Sequence, residues 1–548
     1  MITTGKASEI ALRESLEGGP RWMSAAVDPE GTVLVLAAPS AAAFVVDLSS
    51  TTAEFAALLA DLPVPLAAFE GKSVARRLLA RGIAPPSRVA CVSIIDRLIS
   101  GGAVPAADSV SELGERVLDQ PVPDPAEGLA ALTDAPRWIS RILEAQIPRL
   151  RSDALTWVSR IESAALPAVA EMEHAGIPFD ADRWRGLLEE ALVEREALKN
   201  SLAELLGSAD LFGSGSALDS DAGLRQALES RGHRVANLRR ETLAALPPPL
   251  GPTLARFREL GKLSQSYGAS FLEHATTDGR IRATFEQIGA PTGRMACHSP
   301  NLQSVVKDSQ YRECFRTDED RRLITADYSG CELRIIAELS GDPVFRQVFA
   351  DGGDLHARVA ATVFDKPVSK TENPELRHRA KAINFGLAYG MGAGGLARAT
   401  GLTLDESRRF LRRYFDSFPR IRDFLEHTAR QSLERGYAQT VTGRRLYLSH
   451  DGTSDGRARA ERVAKNMPIQ GTNADVVKIA LARLRRAFAG TASRVVNTVH
   501  DEIVVETPAS EAEGTAEIVK AEMTAAGSEV LKEVPLVAEA DIGRAWSK

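Results

Sequence analysis

The chain has 548 residues, with 67 Lys and Arg against 73 Asp and Glu for a formal net charge of −6. At about 150 residues per domain this predicts three or four units whose cores need no disulfide or metal staple, and the charge excludes a histone-like basic binder. The sum hides an asymmetry: residues 1–150 carry 13 basic and 18 acidic side chains (net −5), while residues 371–462 carry 17 and 11 (net +6), and such a local basic patch is either a solvated face or a site for nucleic acid or polyphosphate.

The N-terminus lacks a basic segment followed by an apolar run, so no signal peptide is expected. Residues 21–48 read as strands, with apolar, partly β-branched runs at Thr32–Ala38 and Ala43–Leu48. Helical patterns follow near Ala53–Ala60 and Ser73–Arg81, and the Pro-rich residues 120–128 suggest a linker. From Ala154 to Leu206 the pattern is helical with a break at 174–180, and the prolines at 247–249 precede another helix ending near Leu272. Residues 282–340 mix strands and turns, residues 342–440 are mostly helical, and strands return at 494–499 and 503–506. Four cysteines without a Cys-x-x-Cys pair argue against zinc ribbons and redox motifs. No apolar stretch of about 18 residues appears, so a soluble cytoplasmic protein with no membrane partner is expected.

Three segments carry chemistry. In LITADYSGCELR (323–334) an apolar strand ends at Asp327, and Ser-Gly turns the chain into a helix beginning near Cys331. A carboxylate there can hold a metal, although a lone Asp at such a place is more often a helix cap. In SRVVNTVHDEIVVE (493–506) two β-branched runs flank His500, Asp501 and Glu502, which reads as a hairpin with these residues at its tip. If Asp327 and Asp501 meet on neighbouring strands, their oxygens can bridge two hard divalent cations. In NPELRHRAKAINFGLAYG (373–390) Asn373 is placed to cap a helix that Pro374 begins. Arg377, Lys381, Phe385 and Tyr389 then recur every four residues along one stripe. Two cations followed by two aromatics can grip a triphosphate and stack on a base. An ordinary basic surface helix with buried aromatics is the blander reading.

In this order the segments resemble motifs A (DYSGCELR), B (RHRAKAINFGLAYG) and C (VHDE) of family A DNA polymerases, the DNA polymerase I type. TGRMACHSPNLQ (292–303), GDLH (353–356), AERVAKNMPIQGTNAD (460–475) and GRAW (543–546) are also similar to family segments, so the resemblance covers roughly residues 155–548. It implies a multidomain α/β and α+β chain. A degenerate RNase H-like exonuclease domain would occupy 1–147 and a right-hand polymerase 148–548, with thumb about 148–285, palm about 286–342 and 463–548, and fingers about 343–462. It implies Asp327 and Asp501 as ligands of two Mg2+ ions, for which Mn2+ can substitute. Arg377 and Lys381 would bind the triphosphate of an incoming dNTP, with Lys381 also catalytic, His356 near the phosphates and Phe385 against sugar and base. Glu332 and Tyr389 would exclude a ribose hydroxyl. Arg294, Asn301, Gln303, Arg462, Asn466, Gln470 and His500 would contact primer–template DNA, and Glu502 would be a supporting acid. The implied protein is a monomer active in replication or repair.

Departures accompany the resemblance. Gly330-Cys331 stands where the family usually has Gln-Ile, and His378 replaces a frequent Arg. In the N-terminal region Asp28-Pro29-Glu30 has the Asp-x-Glu spacing of a 3′–5′ exonuclease, but Asp-Pro-Glu-Gly is equally an ordinary type I turn. FEGKSVARRLL (69–79) holds no Asp, VACVS (89–93) has no acid, and no Tyr precedes Tyr267. A scaffold without proofreading is therefore expected, as is the absence of a 5′-nuclease domain. A primarily exonucleolytic enzyme fails on those missing acids. A single-subunit RNA polymerase conflicts with Glu332 beside Tyr389, and a non-catalytic DNA-binding relative conflicts with the retained Asp327, Asp501, Arg377 and Lys381.

Overall fold

The computed structural model describes residues 2–39, 41–206, 218–306, 310–388 and 390–546. They fall into two compact units: Met1–Ala175, Thr284–His298 and Asp320–Gly543 form the first, and Gly176–Ala283, Ser299–Glu319 and Arg544–Lys548 the second.

The first unit begins with a sheet built from the expected β-branched runs. Its order is Ile2–Thr3, Phe44–Asp47, Val33–Ala37, Met23–Val27, Leu66–Ala68, Val89–Cys91. Met23–Val27 and Phe44–Asp47 each pair antiparallel with Val33–Ala37, and Leu66–Ala68 and Val89–Cys91 add in parallel, as in an RNase H-like core. Alternation fills both faces. Leu34 and Leu36 pack with Phe55 and Leu59 on one side, and Val35 and Val45 pack with Ile139 and Ile142 on the other.

The boundary expected at 147 falls inside helix Leu129–Ser152, and helix Thr156–Ala175 belongs to this unit rather than to a separate segment. Apolar continuity is the reason. Leu150, Leu155 and Val158 extend the Ile142 core, while Leu166 and Ala170 pack on Ala75, Val89 and Cys91.

The unit's second sheet is fully antiparallel, in the order Arg494–Val499, Glu502–Pro508, Arg321–Tyr328, Ala538–Gly543. Helices Ser454–Ala487 and Ala512–Val530 pack with it, and the Tyr328 hydroxyl donates to the Met523 carbonyl at 2.7 Å. Between the sheet's strands the chain runs through helices Cys331–Ser340, Pro343–Ala350, Leu355–Phe364, Pro374–Ala388, Ala393–Thr400, Leu404–Ser417 and Pro419–Arg435, the helical stretch the sequence predicts.

The second unit pairs helices Ala181–Leu206 and Leu250–Tyr267 around Leu202, Leu228, Leu254 and Phe257. A cluster of rings closes it: Trp184 stacks on Phe271 at 4.3 Å, and Phe315 meets Trp546 edge-on at 5.4 Å. Among the described residues no helix is long and apolar enough to cross a membrane.

Candidate active site

The second sheet brings motifs A and C together. The Asp327 strand pairs with the strand after the hairpin turn, placing Asp327 opposite Glu502. Val499 faces Glu502 from the other side, so the hairpin turn is His500-Asp501, with His500 at φ +56°. Glu502 is therefore a buried strand residue rather than part of the tip. Asp327 and Asp501 lie at adjacent strand ends, both half-buried. Asp327 does not cap the following helix; that position belongs to Gly330, whose φ of +64° suits glycine. The Asp501 carboxylate acts on two neighbours, opposing ionisation of the Tyr328 hydroxyl and of the Cys331 thiol. Burial is the main reason that both pKa values lie well above their usual ranges. Cys331 thus stays a neutral thiol, donating to Asn473 Oδ1 at 2.9 Å.

Glu332, one residue further, is buried and forms an ion pair with Arg294. Arg294 sits in the loop between the paired strands Thr284–Glu286 and Ala296–His298. A buried charge group stands behind it. Arg444 bonds Asp475 through Nε at 2.9 Å and also binds Glu162; Lys478 reaches Glu162 Oε1 at 2.6 Å and the Gly293 carbonyl at 2.8 Å. Burial alone would raise the Glu162 pKa, but the Lys478 and Arg444 cations outweigh it and hold the carboxyl below its usual range.

Arg377 and Lys381 lie on helix Pro374–Ala388, as the spacing predicts. Asn373 immediately precedes the helix at φ +49°; its carbonyl accepts from the Leu376 and Arg377 amides at 3.0 and 3.4 Å, and its side-chain amide donates to the Pro367 carbonyl at 2.7 Å. Arg377 Nε bonds Asp354 Oδ2 at 2.7 Å, and Asp354 also caps the preceding helix by accepting from the Ala357 amide. His356, in that helix, hydrogen-bonds Asn384 between its Nδ1 and the Asn Nδ2 at 3.0 Å. Burial, assisted by Arg377 and Lys381, lowers its imidazole to about 4, so it is neutral near pH 7 with Nδ1 accepting and Nε2–H donating. The Phe385 side chain and Tyr389 lie outside the described residues.

Helix Ser454–Ala487 carries Arg462, Asn466 and Gln470 at four-residue spacing, hence on one face. Arg462 approaches the Cα of Gly390, where a Cβ would sit 3.3 Å from its Cγ. Asn301 and Gln303 lie in the second unit, where the Asn301 side chain accepts from the Gln303 amide at 3.0 Å. That unit also has a cavity of about 1400 Å3 whose charged lining mixes Arg195, Arg240, Arg256, Arg258 and Lys262 with Asp219, Asp221 and Glu259, Arg195 pairing with Asp219 and Arg258 with Asp221.

Sequence reading singled out neither Asp354, Asn384 and Asn473 nor the Glu162–Arg444–Asp475–Lys478 group. Asp354 carried one signal, a helix-capping position inside GDLH. The buried charges carried none, because partners as far apart as Glu162 and Lys478 meet only in the fold.

In the N-terminal sheet the Asp28 side chain is consumed by its own turn. It accepts from the Thr32 and Val33 amides at 2.7 Å and from the Thr32 hydroxyl at 2.6 Å. The Gly31 amide closes the turn on the Asp28 carbonyl at 3.1 Å. Burial would raise the carboxyl's pKa, but these bonds hold it below its usual range.

Comparison with known proteins follows this geometry. Residues 190–548 match the family model described as DNA polymerase family A. The chain is 34% identical over 421 residues to the thermostable DNA polymerase I of Thermus filiformis, covering 74% of this chain and 50% of that protein. It is 32% identical over 459 residues to DNA polymerase I of Deinococcus radiodurans, covering 81% and 46%. It thus spans about half the length of the curated relatives it matches. The polymerase domain of Pol1 from M. smegmatis, solved with DNA primer-template and dNTP, superposes with a TM-score of 0.86 at 28% identity, covering 100% of this chain and 99% of that one.

Proposed function

The chain belongs to DNA polymerase family A, and from that premise we propose that it adds dNTPs to a primer 3′-hydroxyl under the direction of a DNA template. The observation that carries this reading is the register that sets Asp327 opposite Glu502 and so brings Asp501 to the adjacent strand end. Two carboxylates are the donor set by which Mg2+ is usually held when substrate phosphates and water complete its shell. Two such ions would activate the primer hydroxyl and neutralise charge on the triphosphate and departing pyrophosphate; Mn2+ would substitute.

The chain's own residues do the rest. Arg377 and Lys381 approach the triphosphate from one helix, and Lys381 supplies charge as bonds to the leaving group lengthen. Neutral His356 donates through Nε2–H. Phe385 lies against the sugar and base, and Glu332 with Tyr389 blocks the 2′ position. Arg294, Asn466, Gln470 and His500 contact the primer–template near its terminal pair, where minor-groove acceptors are common to all correct pairs; Arg462 helps hold the duplex or the finger base, and Asn301 and Gln303 also contact DNA. Glu502 supports the carboxylates. In this reading the second unit is part of a thumb that follows phosphates, the second sheet is the palm, and residues 343–462 are the fingers. The N-terminal domain does not proofread, and the protein works as a cytoplasmic monomer in replication or repair.

The test is primer extension with dNTPs against rNTPs, and with matched against 3′-mismatched primers. Template-dependent extension with dNTPs alone and no trimming of the mismatch is the expected result. No extension, or efficient rNTP use, would overturn the proposal.

A further inference from the structure

The N-terminal domain grips the loop that carries Arg294. Strands Thr284–Glu286 and Ala296–His298 form a two-stranded ribbon. Lys72, on helix Gly71–Ala80 of the N-terminal domain, donates to the Phe285 carbonyl at 2.5 Å and to Glu173 Oε1 at 2.7 Å. The same Glu173 oxygen accepts the Phe285 amide at 2.6 Å, so both polar groups of this backbone position are held. Three residues on, Arg97 of helix Val92–Ser100 donates to the Ile288 carbonyl, and the Ile288 side chain is buried in the N-terminal core with Val92, Ile95 and Leu98.

The grip passes directly to Arg294. The amides of Gly289 and Ala290 both donate to the Arg294 carbonyl, at 3.1 and 3.0 Å. From the other side Lys478 holds the Gly293 carbonyl at 2.8 Å. Arg294 is thus fixed between a palm anchor and an N-terminal anchor before its guanidinium meets Glu332.

We propose that Lys72 and Arg97 are positioning residues for synthesis: the N-terminal domain sets the loop that aims Arg294 at the primer terminus. This rests on the assignment of Arg294 to the terminal pair. A scaffold kept only for stability would need apolar contact with the polymerase body, not two cations spent on the Phe285 and Ile288 carbonyls at the start of one loop.

The test uses the full chain with Lys72→Met and Arg97→Met combined, which keeps the apolar stems and removes the donors. Extension from matched and 3′-mismatched primers is measured with the melting temperature. Displacing a positioning group by a fraction of an ångström should lower matched extension about tenfold. Mismatched extension, which does not use the aligned contact, should change less. The matched-to-mismatched ratio therefore falls, while the dNTP KM, set by residues on other elements, stays within about twofold. Lys72→Arg with Arg97→Lys should restore the ratio. Arg294→Ala separates the two claims. If it leaves the ratio intact, the assignment of Arg294 fails and the proposal falls with it. If it lowers the ratio but the folded double variant does not, the assignment stands and the positioning role alone is overturned. Should the double variant not fold, Arg97→Met alone carries the test with the same expected direction.

Discussion

Asp28 and Asp327 occupy similar places in two sheets of one unit, each a carboxylate where an apolar strand gives way to a turn, and their fates diverge. Asp28 is folded back onto its own turn, with Thr32 and Val33 taking its oxygens. After Asp327 the next helix starts from Gly330, whose left-handed backbone suits glycine. The neighbouring hairpin then delivers Asp501 to the adjacent strand end. Under the proposed function, what sets Asp327 apart is that a second strand brings another acid beside it. Local sequence shows each acid at its strand end; only topology brings the two together.

The sharpest way to break this contrast is at the second sheet. Asp327→Ala or Asp501→Ala should lower nucleotide addition by about 10³-fold or more, since each removes charge stabilisation worth several kcal/mol. Binding of primer–template, measured by fluorescence anisotropy, should stay within about tenfold, because phosphate contacts elsewhere dominate affinity. Extension within tenfold of wild type in either variant would remove the proposed site.

Sugar choice sharpens the palm side further. Glu332→Ala should open space near the 2′ position and raise rNTP incorporation relative to dNTP by roughly 10²-fold, about 3 kcal/mol of lost discrimination. It also leaves Arg294 without its observed ion-pair partner, so matched-primer extension should fall as well. Single-nucleotide insertion kinetics with paired dNTP and rNTP would show both; unchanged discrimination would exclude the steric account.

These two sites also show what was legible from sequence. The strand into Asp327, the hairpin around Asp501 and the Arg377–Lys381 stripe were all visible, because each rests on short-range periodicity of two or four residues. The N-terminal turn was visible because Asp-Pro-Glu-Gly encodes its own geometry. Asn373 stands before its helix, as its type and Pro374 suggest, but the bond from its side-chain amide to the Pro367 carbonyl, six residues back, had no local signal. That the N-terminal core runs on past residue 147 was not legible, because the apolar faces of Leu150, Leu155 and Leu166 give no sign of which core they enter. The charges behind Arg294 were invisible for the same reason.

A smaller effect concerns His356, on helix Leu355–Phe364. His356 has a folded pKa of about 4 against an ordinary 6.5. Between these values the unfolded chain binds the proton that the folded chain refuses, so stability rises with pH across this window. This contribution is fully present above 6.5 and lost as pH falls through about 4. His356→Asn should flatten that slope in melting temperature by a few degrees, and NMR titration of the wild-type imidazole should show no protonation at pH 5.5. A midpoint near 6.5 would mean that the Asn384–His356 arrangement does not hold the neutral tautomer.

The smallest expected effect is the most direct challenge to the contrast itself. If Asp28 only ties its turn, the Asp28→Ala, Glu30→Ala double variant should lose about 1 kcal/mol of stability, the usual cost of removing a side chain that satisfies orphan backbone amides, and nothing catalytic. Two-metal hydrolysis requires carboxylates that can face both ions, whereas both oxygens of Asp28 already accept bonds from its own turn. To serve a metal it would have to surrender those bonds, and the amides of Thr32 and Val33 would need new acceptors at a half-buried strand start. The measurement is incubation of a 3′-mismatched primer with Mg2+ and no dNTPs, wild type beside the double variant. Both should leave the primer full length. Steady one-nucleotide trimming by wild type that disappears in the variant would show that this carboxylate leaves its turn to work, and the contrast between the two sheets would collapse into two working metal sites.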